Sequence, residues 1–393
     1  MLLLACSAAL ALVSAQSSDS AEAAARKALF ASCGGAEVGT LPTGVQPGIY
    51  QGTLGTQAIT LELVAKLGET GSGTQDRYRY DRYGVSIALE RGRAANRTAN
   101  FSLLAVESVW RGGDFAARGC LNLAADQRVA GGAALRGEWF TPGGKKRLAV
   151  TLSRVNVAAV PLALPASPGL SKLRSNDPFI FLALNRTWGK VAGGLEEPLT
   201  GVSYPRVVGG SPALNLALHD GQLRMAQEAL DCLSGSGENL DIGTDYSGSG
   251  TLSWKSARLV SLHEEAEFYC GGAHPDNYTA GVTLDARTGR DVKLAGRPGT
   301  LWPGLNPQKT QALYLAGYPK DADPECLDTV SAPVIGSEYD NYMLYLTARG
   351  LALWPTYLPH VVGACAEVVT VPYSRLRVLA DSGSLYFRDL YSR

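Results

Sequence analysis

Residues 261–294 read SLHEEAEFYCGGAHPDNYTAGVTLDARTGRDVKL, and this stretch decides the fold. Residues 261–269 alternate as a strand does, and Gly271 and Gly272 close it with backbone that few other residues tolerate. Pro275 pushes His274 out of the helical region, so the chain turns a stiff corner there. A second strand follows, then Asp285-Ala286-Arg287-Thr288-Gly289, a polar break ending in glycine with alternation on both sides. That is a hairpin signal, with Gly289 supplying the positive φ. His263-Glu264-Glu265-Ala266-Glu267 has the opening of a zinc-binding helix but lacks the second histidine. On a strand, positions i and i+4 stand about 13 Å apart, too far to share a metal ion. Glu264 and Glu265 then point to opposite faces, which disfavours joint work on a glycosidic bond.

Working outward, Thr251–Trp254 and Arg258–Leu262 read as the preceding strands. Ser211-Pro212 starts a long helix with serine as N-cap and proline at the first helical position, and Gly221 is expected to interrupt it. Tyr342–Trp354 is a hairpin turning at Arg349-Gly350. The order of these parts resembles the domain of unknown function found in lysozyme-sensing anti-sigma factors of bacteria (RsiV-like) and beside some peptidoglycan deacetylases. Val202–Val207 stands where the family has its opening strand with Tyr-Pro, and the helix follows it. Tyr357-Leu358-Pro359-His360 and Val369–Leu376 stand where the family has its closing segments. The resemblance spans residues 202–385 and implies an antiparallel sheet packed on one main helix. It also implies binding of a lysozyme-like protein or a cell-wall glycan. Four cysteines and Leu301-Trp302-Pro303 depart from the family pattern.

The first half has a different texture. Met1–Ala15 is a short apolar run ending in Val13-Ser14-Ala15, a signal peptide with a small-residue cleavage site. Cleavage predicts a periplasmic or secreted protein; the alternative is a lipid anchor through Cys6. Residues 20–29 are alanine-rich and expected to be helical. From Gly48 to Leu152, short alternating segments separated by glycine turns predict a β-rich domain over 16–155, an antiparallel meander or barrel. Residues 156–178 carry four prolines and read as a linker, followed by Phe179–Leu184 as a buried strand or docking segment and a domain over 179–393. The fold class expected is therefore α+β. Six cysteines remain after the signal, an even number that argues for three disulfides. Domain logic favours Cys33–Cys120, Cys232–Cys270 and Cys326–Cys365.

Composition narrows the function. The 393 residues hold 36 basic and 36 acidic side chains, so no global field draws nucleic acid or an acidic membrane. No later apolar run is long enough to span a bilayer. The four histidines form no metal signature and no cofactor motif is present. Gly235-Ser236-Gly237 and Gly248-Ser249-Gly250 have the wrong spacing for a serine-hydrolase elbow. The residues thus favour a non-catalytic binding protein of the cell envelope over an enzyme. His274, Tyr278, Tyr357 and His360 are the candidate ligand contacts, because aromatic and imidazole groups at rigid turns suit sugars and protein partners. The alternatives are a structural envelope protein, or a hydrolase of envelope polymers in which His274 and Asp276 supply acid and base. Asn96, Asn100, Asn185 and Asn277 head glycosylation sequons, relevant only in a eukaryotic source.

Overall fold

The computed structural model describes residues 23–68, 75–95, 102–111, 114–129, 131, 133–235, 243–271, 273–332 and 341–391. The signal segment with Cys6, Asn96, Asn100 and Ser236-Gly237 lie outside them.

Helix α1 (residues 23–32) leads into strand β1 (Gly35–Glu37). Eight antiparallel strands then close into a barrel: β2 (Gly48–Leu54), β3 (Gln57–Leu63), β4 (Asp76–Tyr80), β5 (Ser86–Ala94), β6 (Ser102–Arg111), β7 (Asp114–Ala125), β8 (Ala134–Phe140) and β9 (Arg147–Arg154). Closure comes from β9 pairing with β2 and β6 with β5, while β1 adds to β5 from outside. Alternate side chains fill the interior: Tyr50, Ile59, Leu61, Leu103, Leu121, Leu135 and Leu152 are all buried. Polar groups sit at two levels inside and each has partners. Arg91 and Asp76, both fully buried, form a two-pronged pair at 2.6 and 2.7 Å, and Arg91 also donates to the Val64 carbonyl. Further along, the Glu107 carboxylate accepts from the Tyr78 hydroxyl at 2.6 Å and the Trp139 indole at 2.5 Å, and burial raises its pKa. The barrel is packed rather than hollow.

The proline-rich stretch after β9 contains helix α2 (Pro168–Asn176), with Leu170 and Leu173 buried. Phe179–Leu184, expected as a strand or docking segment, belongs to helix α3 (Pro178–Leu184). An unbroken apolar run has no period to distinguish the two, and Asp177 capping the Ile180 N–H settles it as helix. These helices tie the barrel to the rest of the chain. Arg77 bridges Glu62 at 2.6 Å and Asp177 at 2.8 Å, and the Phe179 ring lies between the Arg77 and Arg79 guanidiniums.

Helix α4 (Pro212–Ser234) is the main helix. Gly221 does not interrupt it; a side chain there would meet the Tyr204 ring, 2.7 Å from its hydroxyl. One face of α4 packs on a six-stranded sheet: β10 (Gly189–Val191), β11 (Gly194–Glu196), β12 (Ser203–Pro205), β13 (Asp245–Lys255), β14 (Leu259–Tyr269) and β15 (Asp276–Asp285), in that order. All its pairings are antiparallel except β12 with β13. Leu262, Glu264 and Ala266 face the helix, while Ser261, His263 and Glu265 face away. Helices α5 (Pro307–Gly317) and α6 (Pro324–Ser331), absent from the sequence expectation, join a three-stranded sheet of β16 (Tyr342–Leu346), β17 (Leu351–Pro355) and β18 (Val369–Val371) around a second core. Short helices α7 (Tyr373–Leu376) and α8 (Phe387–Tyr391) close the chain. Three disulfides are formed among the described residues: Cys33–Cys120, Cys232–Cys270 and Cys326–Cys365.

Candidate functional site

A cleft of about 650 Å³ lies where the two C-terminal sheets meet. One wall is β15 from Thr279 to Thr283, and the opposite wall is β16 at Tyr342, Met343 and Leu344. The third side is the loop after the Asp285–Gly289 turn, where Lys293, Arg297 and Thr300 line the space.

The turn expected at Gly289 is present, with φ at +66° and the Asp285 carboxylate accepting from the Arg287 and Thr288 N–H groups. It returns the chain so that Val292 N–H donates to the Thr283 carbonyl at 2.7 Å. The two sheets approach closely because Gly281 has no side chain. A Cβ there would stand 2.1 Å from the Leu344 carbonyl oxygen. Ser261 fixes the crossing: its hydroxyl accepts from Leu346 N–H at 3.0 Å and bonds Thr283 Oγ1 at 2.8 Å.

The residues expected to touch a ligand are spread apart. His274 is exposed at the corner before β15, with its Nδ1 2.9 Å from the Pro275 carbonyl. Asp276 starts β15 and accepts from the Asn277 N–H at 2.8 Å. Tyr278 faces the helix side of the sheet, away from the cleft, and its hydroxyl donates to Glu264 at 3.2 Å. Tyr357 follows Thr356, a cleft residue, and donates to the Val330 carbonyl at 2.9 Å. His360 opens a 3-10 turn, His360–Cys365; its side chain lies outside the described residues. Asn185 holds the turn after α3, donating to the Pro161 carbonyl and accepting from Ala163 N–H. Among the described residues no cluster of three or more histidine, cysteine, aspartate or glutamate side chains could hold a metal ion.

The group that sequence reasoning missed is centred on Glu264, buried beneath α4. Its carboxylate accepts from the Tyr204 hydroxyl at 2.5 Å, from Tyr278 and from the Arg224 guanidinium. Burial, reinforced by Glu264, raises the pKa of both tyrosines. Burial opposes the Arg224 charge, but Glu264 and Glu228 outweigh it and the arginine pKa rises. A carboxylate engaged by three donors is a fixed strut, and burial beneath the helix keeps it from a substrate. The lone signal in sequence was a glutamate on the apolar face of β14, between Leu262 and Ala266. Its partners Tyr204 and Arg224 lie 60 and 40 residues away along the chain.

Chemically, the cleft offers strand backbone, threonine hydroxyls, an aromatic–aliphatic wall and cations. Asp291 is the sole carboxylate among its lining residues, and Lys293 pairs with it at 2.6 Å.

No protein-family model matches the chain, and no curated protein matches it. Solved structures similar to parts of it belong to the DUF3298 family. One is a family member from Bacteroides fragilis, 16% identical, with a TM-score of 0.31 over 45% of this chain and 68% of that one. Another is a family protein from Pseudomonas aeruginosa, 19% identical, with a TM-score of 0.27 over 36% of this chain and 63% of that one.

Proposed function

We propose that the chain is an exported, non-catalytic binding protein of the cell envelope that captures a lysozyme-like protein or a cell-wall glycan. The observation that carries this reading is the lining of the cleft. Hydrolysis of a glycan by the usual route needs two carboxyl groups facing across the scissile bond. Here the single lining carboxylate is paired with Lys293, and the remaining groups suit recognition. Three disulfides fit an oxidising compartment, and no helix among the described residues is long and apolar enough to cross a membrane. In this reading residues 16–155 are an interaction or stabilising unit, joined through 156–178 to the binding unit at 179–393. His274 at the corner before β15, His360 at the start of its 3-10 turn and Tyr357 are proposed as ligand contacts, with Tyr278 contributing from the helix face of the sheet rather than from the cleft.

The test is calorimetric titration of the oxidised protein with lysozyme and, separately, with chitin oligosaccharides and soluble peptidoglycan fragments. Binding of one of them, weakened at least tenfold by Arg297→Ala or His274→Ala, is expected. Turnover of the fragments that His274→Ala or Asp276→Asn abolishes would replace the binding reading with the hydrolase one.

A further inference from the structure

Among the described residues the outermost strands of the sheets are short, with one exception. The eight barrel strands close on themselves, and β1, which adds to β5 from outside, is three residues long. Strands β10 and β18, at two of the outer edges, are three residues long. At β16 the edge amide of Leu346 is taken by Ser261. The exception is β15, ten residues long and last in its sheet.

Its backbone parity can be read from its neighbours. The β14–β15 ladder runs without a register shift from Leu259↔Asp285 to Phe268↔Asp276. Thr283 turns its carbonyl outward, to Val292. In an antiparallel ladder the outward groups recur every second residue, so Gly281, Thr279 and Asn277 also direct N–H and C=O away from β14. The returning chain covers the edge at the Asp285 N–H, which donates to the Arg290 carbonyl at 2.9 Å, and at the Thr283 carbonyl. Among the described residues no outward backbone partner meets Thr279 or Gly281. The exposed stretch spans about 14 Å, and none of residues 277–283 is charged or proline, the usual guards of a strand edge.

We infer that this edge is a docking site for an extended polypeptide segment of a partner protein, which adds as a seventh strand beside Asn277–Gly281. Main-chain bonds to Thr279 and Gly281 supply affinity, and alternate side chains supply selection. One set of those side chains meets the wall of Tyr342, Met343 and Leu344. Charge sets the rest. Lys293 and Arg297 lie at the Thr283 end, with Asp291 offsetting Lys293. Glu265 and Glu267 stand on β14 opposite Thr279 and Asn277, and His263 contacts Glu265 at 3.2 Å. The fitting segment is apolar at alternate positions, acidic at the Arg297 end and basic at the Asn277 end.

The inference rests on the binding reading above but on its own test. A displayed library of linear nine-residue peptides is selected on the full oxidised chain, and enriched peptides are synthesised. Thr279→Pro removes one outward N–H and no bond to β14, a position where a strand accepts proline. At least tenfold weaker binding to Thr279→Pro is expected, together with loss of binding when alternate peptide amides are N-methylated. Should that variant misfold, hydrogen exchange of the wild-type Thr279 and Gly281 amides reads the same contact, with protection expected when peptide binds. No enriched peptide, or peptides indifferent to both Thr279→Pro and N-methylation, would overturn the inference. Lysozyme binding alongside peptides indifferent to Thr279→Pro and N-methylation would remove the edge and keep the wider reading. Peptide docking without lysozyme or glycan binding would do the reverse.

Discussion

The barrel and the paired C-terminal sheets solve the same problem in opposite ways. Both must satisfy strand backbone and bury apolar faces. The barrel closes on itself, fills its interior with leucine and tyrosine, and gives the interior Arg91, Asp76 and Glu107 partners. The C-terminal sheets remain open, cross where Gly281 lets them touch, and leave a cleft and a bare edge beside the crossing. Closure suits a unit whose task is to hold together, whereas an open edge is a liability unless something binds it. The contrast is the main physical reason for placing recognition on β15 rather than in the barrel.

The contrast breaks most severely if the barrel tolerates an unpaired charge. Asp76→Ala leaves Arg91 buried without its partner and should destabilise the barrel by about 3–5 kcal/mol. Replacing both by apolar residues of similar volume should recover most of that loss. Chemical denaturation of the single and double variants checks both, with ligand binding at the cleft unchanged in the double variant.

Acid should act on the other half. His219 is buried on α4 against Trp188, and its pKa is lowered to about 4, by burial first and by Arg206 next, with Asp220 opposing. Above the unfolded pKa of about 6.5 the imidazole is neutral in both states and contributes nothing. As pH falls through 6.5 towards 4 the unfolded chain takes up the proton first, so stability declines by about 3 kcal/mol in total. His219→Gln should flatten that part of the pH–stability profile. An unchanged slope between pH 6.5 and 4 in the variant would show that another group governs acid sensitivity.

What the sequence disclosed, and what it concealed, follows the range of the interactions. Turns set by a single residue were legible: Gly289, the Arg349-Gly350 hairpin and the Ser211 cap stand where local chemistry put them. The alternation that announced a meander also holds: alternate residues such as Ile59 and Leu61 fill the barrel, even where helices cover the outer face of a strand as well. Four of the helices that escaped share one overlooked signal. Ser167-Pro168, Asp177-Pro178, Asn306-Pro307 and Asp323-Pro324 each place a capping side chain before a proline at the first helical position. Of the four prolines in 156–178, Pro168 and Pro178 start helices. The Glu264 strut and the cleft were beyond local reading altogether, because their parts meet only after the sheets assemble. Which face of β15 Tyr278 takes was equally beyond local reading: its hydroxyl meets Glu264 on the helix side.

At the crossing itself the comparison can be sharpened without touching either core. Gly281→Val would place side-chain atoms where the Leu344 carbonyl stands, so β16 must move away from β15. Forced repacking of this kind destabilises by about 1–3 kcal/mol, less than the barrel charge because the sheets can part. Peptide or partner affinity should fall alongside, since the cleft wall moves with β16.

The smallest effect on stability belongs to the cleft's own cation. Arg297 is exposed, and Arg297→Gln should shift the melting free energy by less than about 0.5 kcal/mol, as surface substitutions do. Its effect on binding should be selective rather than uniform. A segment with an acidic residue at the Thr283 end should lose several-fold in affinity, and the loss should shrink as salt screens the pair. A segment neutral at that position should bind both proteins alike. Equal losses for the two segments, independent of salt, would mean that Arg297 shapes the loop rather than reading charge. The edge of β15 would then recognise its partner through backbone and the Tyr342–Leu344 wall alone.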